Sequence, residues 1–282
     1  MQGRTNAFGM PLRDLRHAVE TPETARDIAD LLVEVAAAIG IRTSTAPELF
    51  SIVRDCLKSQ PLDLAECAIH EWIEANAADA KLDDRMAERA AQIVAQVGPY
   101  LVGARIADVG CGDGLVGDAF AKDYEVVLTD VVGYVDPRVT SPLTLYAGSG
   151  PLPIKTPVDS ALLLTVLHHA EDPVALFEET ARITAKRIII IESVVPSAKA
   201  STFESEFELA AFFDWFYNRI LHMGVPVPYN YNSTEGWTGL FRDAGWTMSE
   251  VVDLGRDQKL VPEHHMLFVL DRNAASAPAL LR

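Results

Sequence analysis

Arg105-Ile-Ala-Asp-Val-Gly-Cys-Gly-Asp-Gly-Leu-Val116 runs a short apolar strand into a glycine-rich turn and then directly into a helix. Gly110, Gly112 and Gly114 stand at alternate positions, so the chain can turn sharply and a ligand can approach the backbone without meeting a Cβ. Tyr124-Glu-Val-Val-Leu-Thr-Asp130 reads as a second strand ending in an acid, where a ribose diol needs a carboxylate acceptor. Together the two segments read as a nucleotide cradle. A dinucleotide fingerprint starting at Gly110 requires glycine at position 115, and Leu115 stands there, which disfavours a nicotinamide-dependent oxidoreductase. The glycines instead follow an acidic-x-G-x-G-x-G pattern that starts at Asp108.

Working outward, Pro151-Leu-Pro-Ile154 precedes Val158-Asp-Ser-Ala-Leu-Leu-Leu-Thr-Val-Leu-His-His169, an apolar strand ending in a polar turn. On these motifs, in this order, the chain resembles the class I S-adenosylmethionine (SAM)-dependent methyltransferases from Ala87 to Arg272. The resemblance implies a Rossmann-like α/β fold: a mostly parallel seven-stranded sheet with helices on both faces, plus an N-terminal helical cap. It implies SAM as cofactor, with Asp108, Gly110, Cys111, Gly112 and Gly114 at its methionine portion and Asp130 at the ribose hydroxyls. Tyr146-Ala-Gly-Ser149 falls where the family's adenine-contacting loop lies, which brings in Gly148 and Ser149. Thr165 and His168 fall beside the methyl donor. Two positions depart from the family pattern: the usual acid near Lys155 is absent, and the adenine loop carries Gly-Ser in place of an acid.

Residues 1–100 read as helices, expected to form a cap, a lid or a dimerisation region. Thr21-Pro22-Glu23 is a start signal, and Ile28, Leu31, Leu32, Val35 and Ile39 keep helical spacing until Gly40. Further helices are expected around Leu49–Leu57, around Ala68–Ile73, and from Asp83 or Asp84 to Gly98-Pro99. Such stripes serve a core or subunit interface, or the lid over a pocket, and both readings stand. Residues 101–272 are expected to form the SAM-binding domain, with Asp172 capping a helix that starts at Pro173 and Arg187–Glu192 a fully buried strand. An insertion at 194–232 should carry function because it is long for a connection. It reads as a helix from Phe203 to Met223, followed by an extended proline-bearing loop. A helix from Ser233 to Gly245 and closing strands at Trp246–Leu254 and His265–Asp271 complete the domain. Residues 273–282 read as a flexible tail.

Bulk properties narrow the function. A chain of 282 residues with 49% hydrophobic content can bury a large core. Its formal charge of −16 repels phosphate backbones, so nucleic acid is not an expected partner. No apolar run reaches membrane-spanning length and the N-terminus has no signal-peptide order, so a cytoplasmic protein with no membrane partner is expected. Cys56, Cys67 and Cys111 show no CxxC spacing, which indicates neither a disulfide framework nor a cysteine metal site. A homodimer is compatible with the apolar helical stripes.

The expected reaction is methyl transfer to an oxygen or nitrogen of a small molecule, in specialised metabolism. C-methylation, another SAM-dependent reaction, or a non-catalytic SAM-binding partner protein are the alternatives. Glu192, His169 and His222 are the candidate groups for orienting and deprotonating the acceptor. His168 reads either as a base or as a cap on its loop. Asp214, Asn218 and His222 stand at i, i+4 and i+8, one polar line on a helix amid aromatic residues. With Tyr229, Trp237 and His264, Asp214 and Asn218 form the candidate substrate contacts. His and carboxylate residues at Glu192, Asp214, His222 and Glu263 to His265 follow no metal signature, so no metal is expected.

Overall fold

The computed structural model describes residues 5–10, 12, 14–77, 82–222, 224–258 and 261–273. Its helices are α1 (Leu15–Glu20), α2 (Pro22–Ala38), α3 (Glu48–Ser59), α4 (Leu62–Asn76), α5 (Leu82–Val97), α6 (Leu115–Ala119), α7 (Pro173–Ile183), α8 (Phe203–Trp215) and α9 (Thr234–Asp243). Its strands are β1 (Arg105–Val109), β2 (Glu125–Asp130), β3 (Leu143–Leu145), β4 (Val158–Leu164), β5 (Thr184–Val194), β6 (Trp246–Gln258) and β7 (Val261–Arg272). The chain divides into two compact units: residues 1–86, 195–229 and 256–263 in one, residues 87–194, 230–255 and 264–282 in the other.

The second unit is the sheet unit. Its seven strands follow the order β3-β2-β1-β4-β5-β7-β6. All pairings from β3 to β5 are parallel, and β7 runs antiparallel to β5. The order reverses between β1 and β4, which opens a crevice at the carboxyl ends of those strands. The four isoleucines Ile188–Ile191 are buried on both faces of the sheet, as an uninterrupted apolar strand requires. Ile93 and Val97 of α5 pack with Ile106, Leu162, Ile189 and Ile191. Phe177 of α7 and Phe241 of α9 pack at a tilt with ring centroids 4.9 Å apart, and Phe241 meets Phe268 of β7 edge to face. Helices thus cover both faces, as expected. Asp172 accepts the Ala175 N–H at 2.9 Å and so caps α7, and Ser233 accepts the Gly236 N–H at 3.1 Å and caps α9.

The first unit is helical. Leu32 of α2, Leu49 and Val53 of α3 and Ile69 of α4 form one core with Phe212 and Phe216 of the insertion. The insertion from 195 to 229 therefore folds with the N-terminal helices, and α5 belongs to the sheet unit from Ala87 onward. Helix α1 and strand β3 were not foreseen: at 6 and 3 residues they are too short to show periodicity. The helix expected from Phe203 to Met223 is α-helical to Trp215 and then continues as a π-helix from Phe216 to Leu221. Met223 and the tail beyond 273 lie outside the described residues.

Candidate functional site

The glycine turn is locked from two sides. Gly110, Gly112 and Gly114 adopt φ of 71°, 56° and 79°, the left-handed region that a Cβ disfavours. A Cβ on Gly110 would lie 2.2 Å from Val166 Cγ2, so the turn after β1 interlocks with the turn after β4. A Cβ on Gly112 would meet nothing nearer than the Tyr134 hydroxyl at 3.5 Å, which leaves that backbone open to a ligand. The N–H groups of Gly110 and Cys111 donate to the Thr129 carbonyl at 2.8 and 3.2 Å. The Gly112 N–H donates to Asp130 Oδ2 at 2.7 Å. Asp130 Oδ1 accepts from the N–H groups of Val131 and Val132, so three backbone donors fix the carboxylate in the turn.

Asp108, one residue before the end of β1, is 1% exposed, and neither of its oxygens has a hydrogen-bond partner of standard geometry. Burial first, then Asp130 and Asp113, push its pKa up to about 7; the Gly117 N–H, near but not properly aligned, opposes them. Burial raises Asp113 as well, and with Asp108 and Asp130 nearby it raises the Cys111 thiol.

Around Asp130 lie Tyr146, which the sequence places in the adenine-contacting loop, and others that the sequence reading passed over. Val131, Tyr134 and Leu145 are apolar or aromatic yet partly exposed. Tyr146 donates its N–H to the Asp130 carbonyl, and burial beside Asp130 pushes its phenol up to about 12. Burial near Asp130 and Asp113 raises Tyr134 too. The only cue was position, since these residues follow β2 and β3 directly. Gly148 has φ of 79°, and a Cβ there would sit 3.4 Å from Val131; Gly148 and Ser149 are exposed.

The turn after β4 is built by strain and by a buried carboxylate. Thr165, a β-branched residue, has φ of 54° and donates its N–H to Ile191 at 2.6 Å. The 3₁₀ turn Leu167–His169 follows. Glu192, fully buried, accepts the Leu167 N–H on Oε1 at 2.6 Å, and its Oε2 lies 2.7 Å from His168 Nδ1 and 3.2 Å from the Ser193 N–H. Tyr231 stacks on the His168 ring at 5.3 Å and the His169 ring lies at 4.2 Å. Asn230 donates its N–H to the His168 carbonyl and its amide to the Ala170 carbonyl at 2.7 Å. Asn230 and Tyr231 are further residues the sequence reading missed. Glu192 thus binds the turn with both oxygens, a positioning arrangement, while His169 is half-buried.

Strand alternation separates His264 from His265 as expected, but the inward residue is the other one. His265 pairs with Ser193 in the β5–β7 ladder, is 3% exposed and hydrogen-bonds the Ser193 hydroxyl at 3.1 Å. His264 lies on the other face and pairs with Asp253 on the hairpin. Trp237 is fully buried, stacked on Phe241, with its indole N–H donated to the Ser193 carbonyl. Its ring belongs to the core of the sheet unit.

In the helical unit, Asp214 accepts the Asn218 amide at 2.7 Å, so the first two members of the polar line meet. The line does not extend to His222. The chain there is π-helical, and the His222 N–H donates to Tyr217, five residues back, which rotates the imidazole off the α-helical register. Glu66, buried, accepts the Trp215 indole N–H at 2.8 Å and pairs with Arg219 at 2.8 Å. Tyr229 has φ of 59°; burial, with Asp214 and Glu66 nearby, raises its phenol, and its carbonyl accepts the Asn6 amide.

No family model matches the chain, and no curated protein matches it. Solved structures do. Magnesium protoporphyrin IX methyltransferase from Synechocystis PCC 6803, with bound S-adenosylhomocysteine (SAH), is 15% identical, with a TM-score of 0.47 over 79% of this chain and 99% of that one. A SAM-dependent methyltransferase from Methanosarcina mazei is 11% identical, with a TM-score of 0.48 over 63% of this chain and 96% of that one. The (4+2)-cyclase SpnF is 15% identical, with a TM-score of 0.46 over 70% of this chain and 83% of that one. At these identities the likeness is one of fold, and it includes a protein named for a different reaction. The strand order β3-β2-β1-β4-β5-β7-β6, the antiparallel β7 and the glycine turn tied to the acid of β2 give the sheet unit a Rossmann-like α/β architecture.

Proposed function

We propose that this protein transfers the methyl group of SAM to an oxygen or nitrogen of a small molecule. The observation that carries the reading is the 2.7 Å bond between the Gly112 N–H and Asp130, which joins an open glycine backbone to a ribose-type carboxylate at the reversal of strand order. The donor set fits the cofactor. Asp130 Oδ2 holds one N–H and keeps a lone pair for a ribose hydroxyl, Gly112 is uncovered, and Val131, Tyr134 and Leu145 offer apolar surface for a base. Gly110, Cys111 and Gly114 shape the turn, and Gly148 and Ser149 flank it.

When bound, SAM supplies an electrophilic methyl on a sulfonium. The protein's part is to align the acceptor, exclude water and take up its proton. His169 is the group we assign to the proton, with His222 a second candidate. Glu192, Asn230 and Tyr231 hold the turn on which His168 and His169 stand, and Thr165 sets its direction. For the acceptor, Asp214, Asn218 and Tyr229 set polar groups among aromatic side chains, chemistry suited to a ring-bearing substrate with a hydrogen-bonding group.

Calorimetric titration of wild type and Asp130→Ala with SAM, SAH and NAD tests the cofactor. Binding of SAM and SAH alone, weakened by the substitution, supports it; no binding, or preference for NAD, ends it. An acceptor screen read by SAH formation, with product mass and NMR, then distinguishes O- or N-transfer from C-methylation and from a binder without turnover. Unchanged turnover in His169→Ala and His222→Ala would remove those two residues from the mechanism.

A further inference from the structure

Resting on that reading of the cofactor, we propose that Asp108 gives up a proton to solvent when SAM binds, and that this coupling lets the site distinguish the cationic sulfonium from the neutral thioether product. Asp108 sits on the central strand β1, between Leu128 of β2 and Leu162 of β4 in the ladder. Both its oxygens are buried and without a hydrogen-bond partner, and Gly117 of α6 closes over it: a Cβ there would lie 2.8 Å from Asp108 Oδ2. The charged and titratable groups facing it are Asp130 at the end of β2 and Asp113 and Cys111 in the turn. Asp113 in turn faces Asp136, Arg89 and Arg138, and Tyr134 and Tyr146 face Asp130.

A buried carboxyl whose one nearby donor, the poorly aligned Gly117 N–H, does not offset its burial beside two other acids holds its proton into the neutral range. SAM carries a sulfonium and an ammonium against one carboxylate, net +1, whereas SAH lacks the sulfonium and is neutral. Positive charge brought to this turn favours the ionised form of Asp108, so its proton is released to buffer. The sign follows. Below neutrality SAM must expel the proton and binds more weakly; above neutrality the carboxylate is already ionised. SAM affinity therefore rises with pH up to about 7 and levels off above it, in total by about tenfold for each unit by which binding lowers the Asp108 pKa, while SAH affinity stays nearly flat. After transfer the sulfonium charge is gone, and Asp108 takes a proton back from solvent.

The experiment is calorimetric titration of the full chain with SAM and with SAH at pH 7, in buffers of different ionisation enthalpy, for wild type and Asp108→Asn. The expected result is release of about half a proton per SAM by wild type in excess of the variant, and none in excess with SAH. Equal proton release by wild type and variant, or equal release with SAM and SAH, overturns the proposal. If the variant fails to fold, carboxyl ¹³C NMR of wild type, with Asp108 assigned through its β-protons, decides: its resonance should titrate near neutrality in the free protein and lose that titration with SAM but not with SAH. A free-state resonance already ionised at pH 5 overturns the proposal while leaving the cofactor reading intact. Absence of SAM binding removes both.

Discussion

His168 Nδ1 lies 2.7 Å from Glu192 Oε2, and the Glu192 carboxylate has no exposure to solvent. The same carboxylate takes the Leu167 N–H on its other oxygen, so one side chain from β5 holds both the backbone and the imidazole of the turn after β4. Such a carboxylate acts on chemistry through the groups it positions.

Removing it should therefore cost fold and function together. Glu192→Ala strands the Leu167 and Ser193 N–H groups and the His168 imidazole without their acceptor, a loss of about 3 kcal/mol in urea denaturation. Glu192→Gln keeps one acceptor oxygen and should fall between. A loss below about 1 kcal/mol for the alanine variant would mean that water replaces the carboxylate and that the turn does not depend on it.

Gly110 and Gly112 should separate stability from binding. At Gly110 an alanine Cβ collides with Val166 at 2.2 Å and sits at φ 71°, so Gly110→Ala should destabilise by about 2–4 kcal/mol. At Gly112 the Cβ has space, and the left-handed φ alone costs about 1 kcal/mol, but the methyl projects over the open backbone. SAM affinity of Gly112→Ala should fall about tenfold or more while folding is nearly kept. Equal effects of the two variants on urea midpoint and calorimetric affinity would contradict the assigned roles.

The two closing histidines offer a third contrast. His265→Ala removes a buried partner of Ser193 and should lower stability by about 1–3 kcal/mol. His264→Ala touches only an exposed pair with Asp253 and should leave both urea midpoint and turnover unchanged. The reverse pattern would show that β7 presents its other face inward.

What the sequence disclosed here was local. The glycine turn, the isoleucine run and the Asp172 cap each write their structure in neighbouring residues, and they sufficed to place the sheet and the end of the central crevice. The failures depend on partners distant in sequence. That His264 and His265 diverge follows from alternation, but which one turns inward is set by pairing with Ser193, 72 residues away. Trp237 enters the core because Phe241 and the Ser193 carbonyl await it. The polar line from Asp214 assumed an α-helical period, and a single switch to π-helix at Phe216 redirected His222. Asn230 and Tyr231 sat in a stretch that reads only as loop, although their function is to clasp the histidine turn.

Asp108 makes the pH dependence of stability run opposite to that of an ordinary carboxylate. Its pKa is raised to about 7 in the folded chain, against an ordinary value near 3.9 when unfolded. Between those values the folded state binds more protons than the unfolded one, so stability falls as pH rises from about 4 to 7 and stays low above. Unfolding free energies of the SAM-free protein should drop across this range. The drop should shrink in Asp108→Asn, which cannot ionise, making that variant more stable than wild type at pH 8 and not at pH 5. SAM should narrow the gap at pH 8, because its positive charge compensates the ionised carboxylate in wild type alone. Parallel urea titrations at pH 5 and 8, with and without SAM, read both effects. A wild type whose stability rises from pH 5 to 7 as steeply as the variant's would show that Asp108 is ionised throughout.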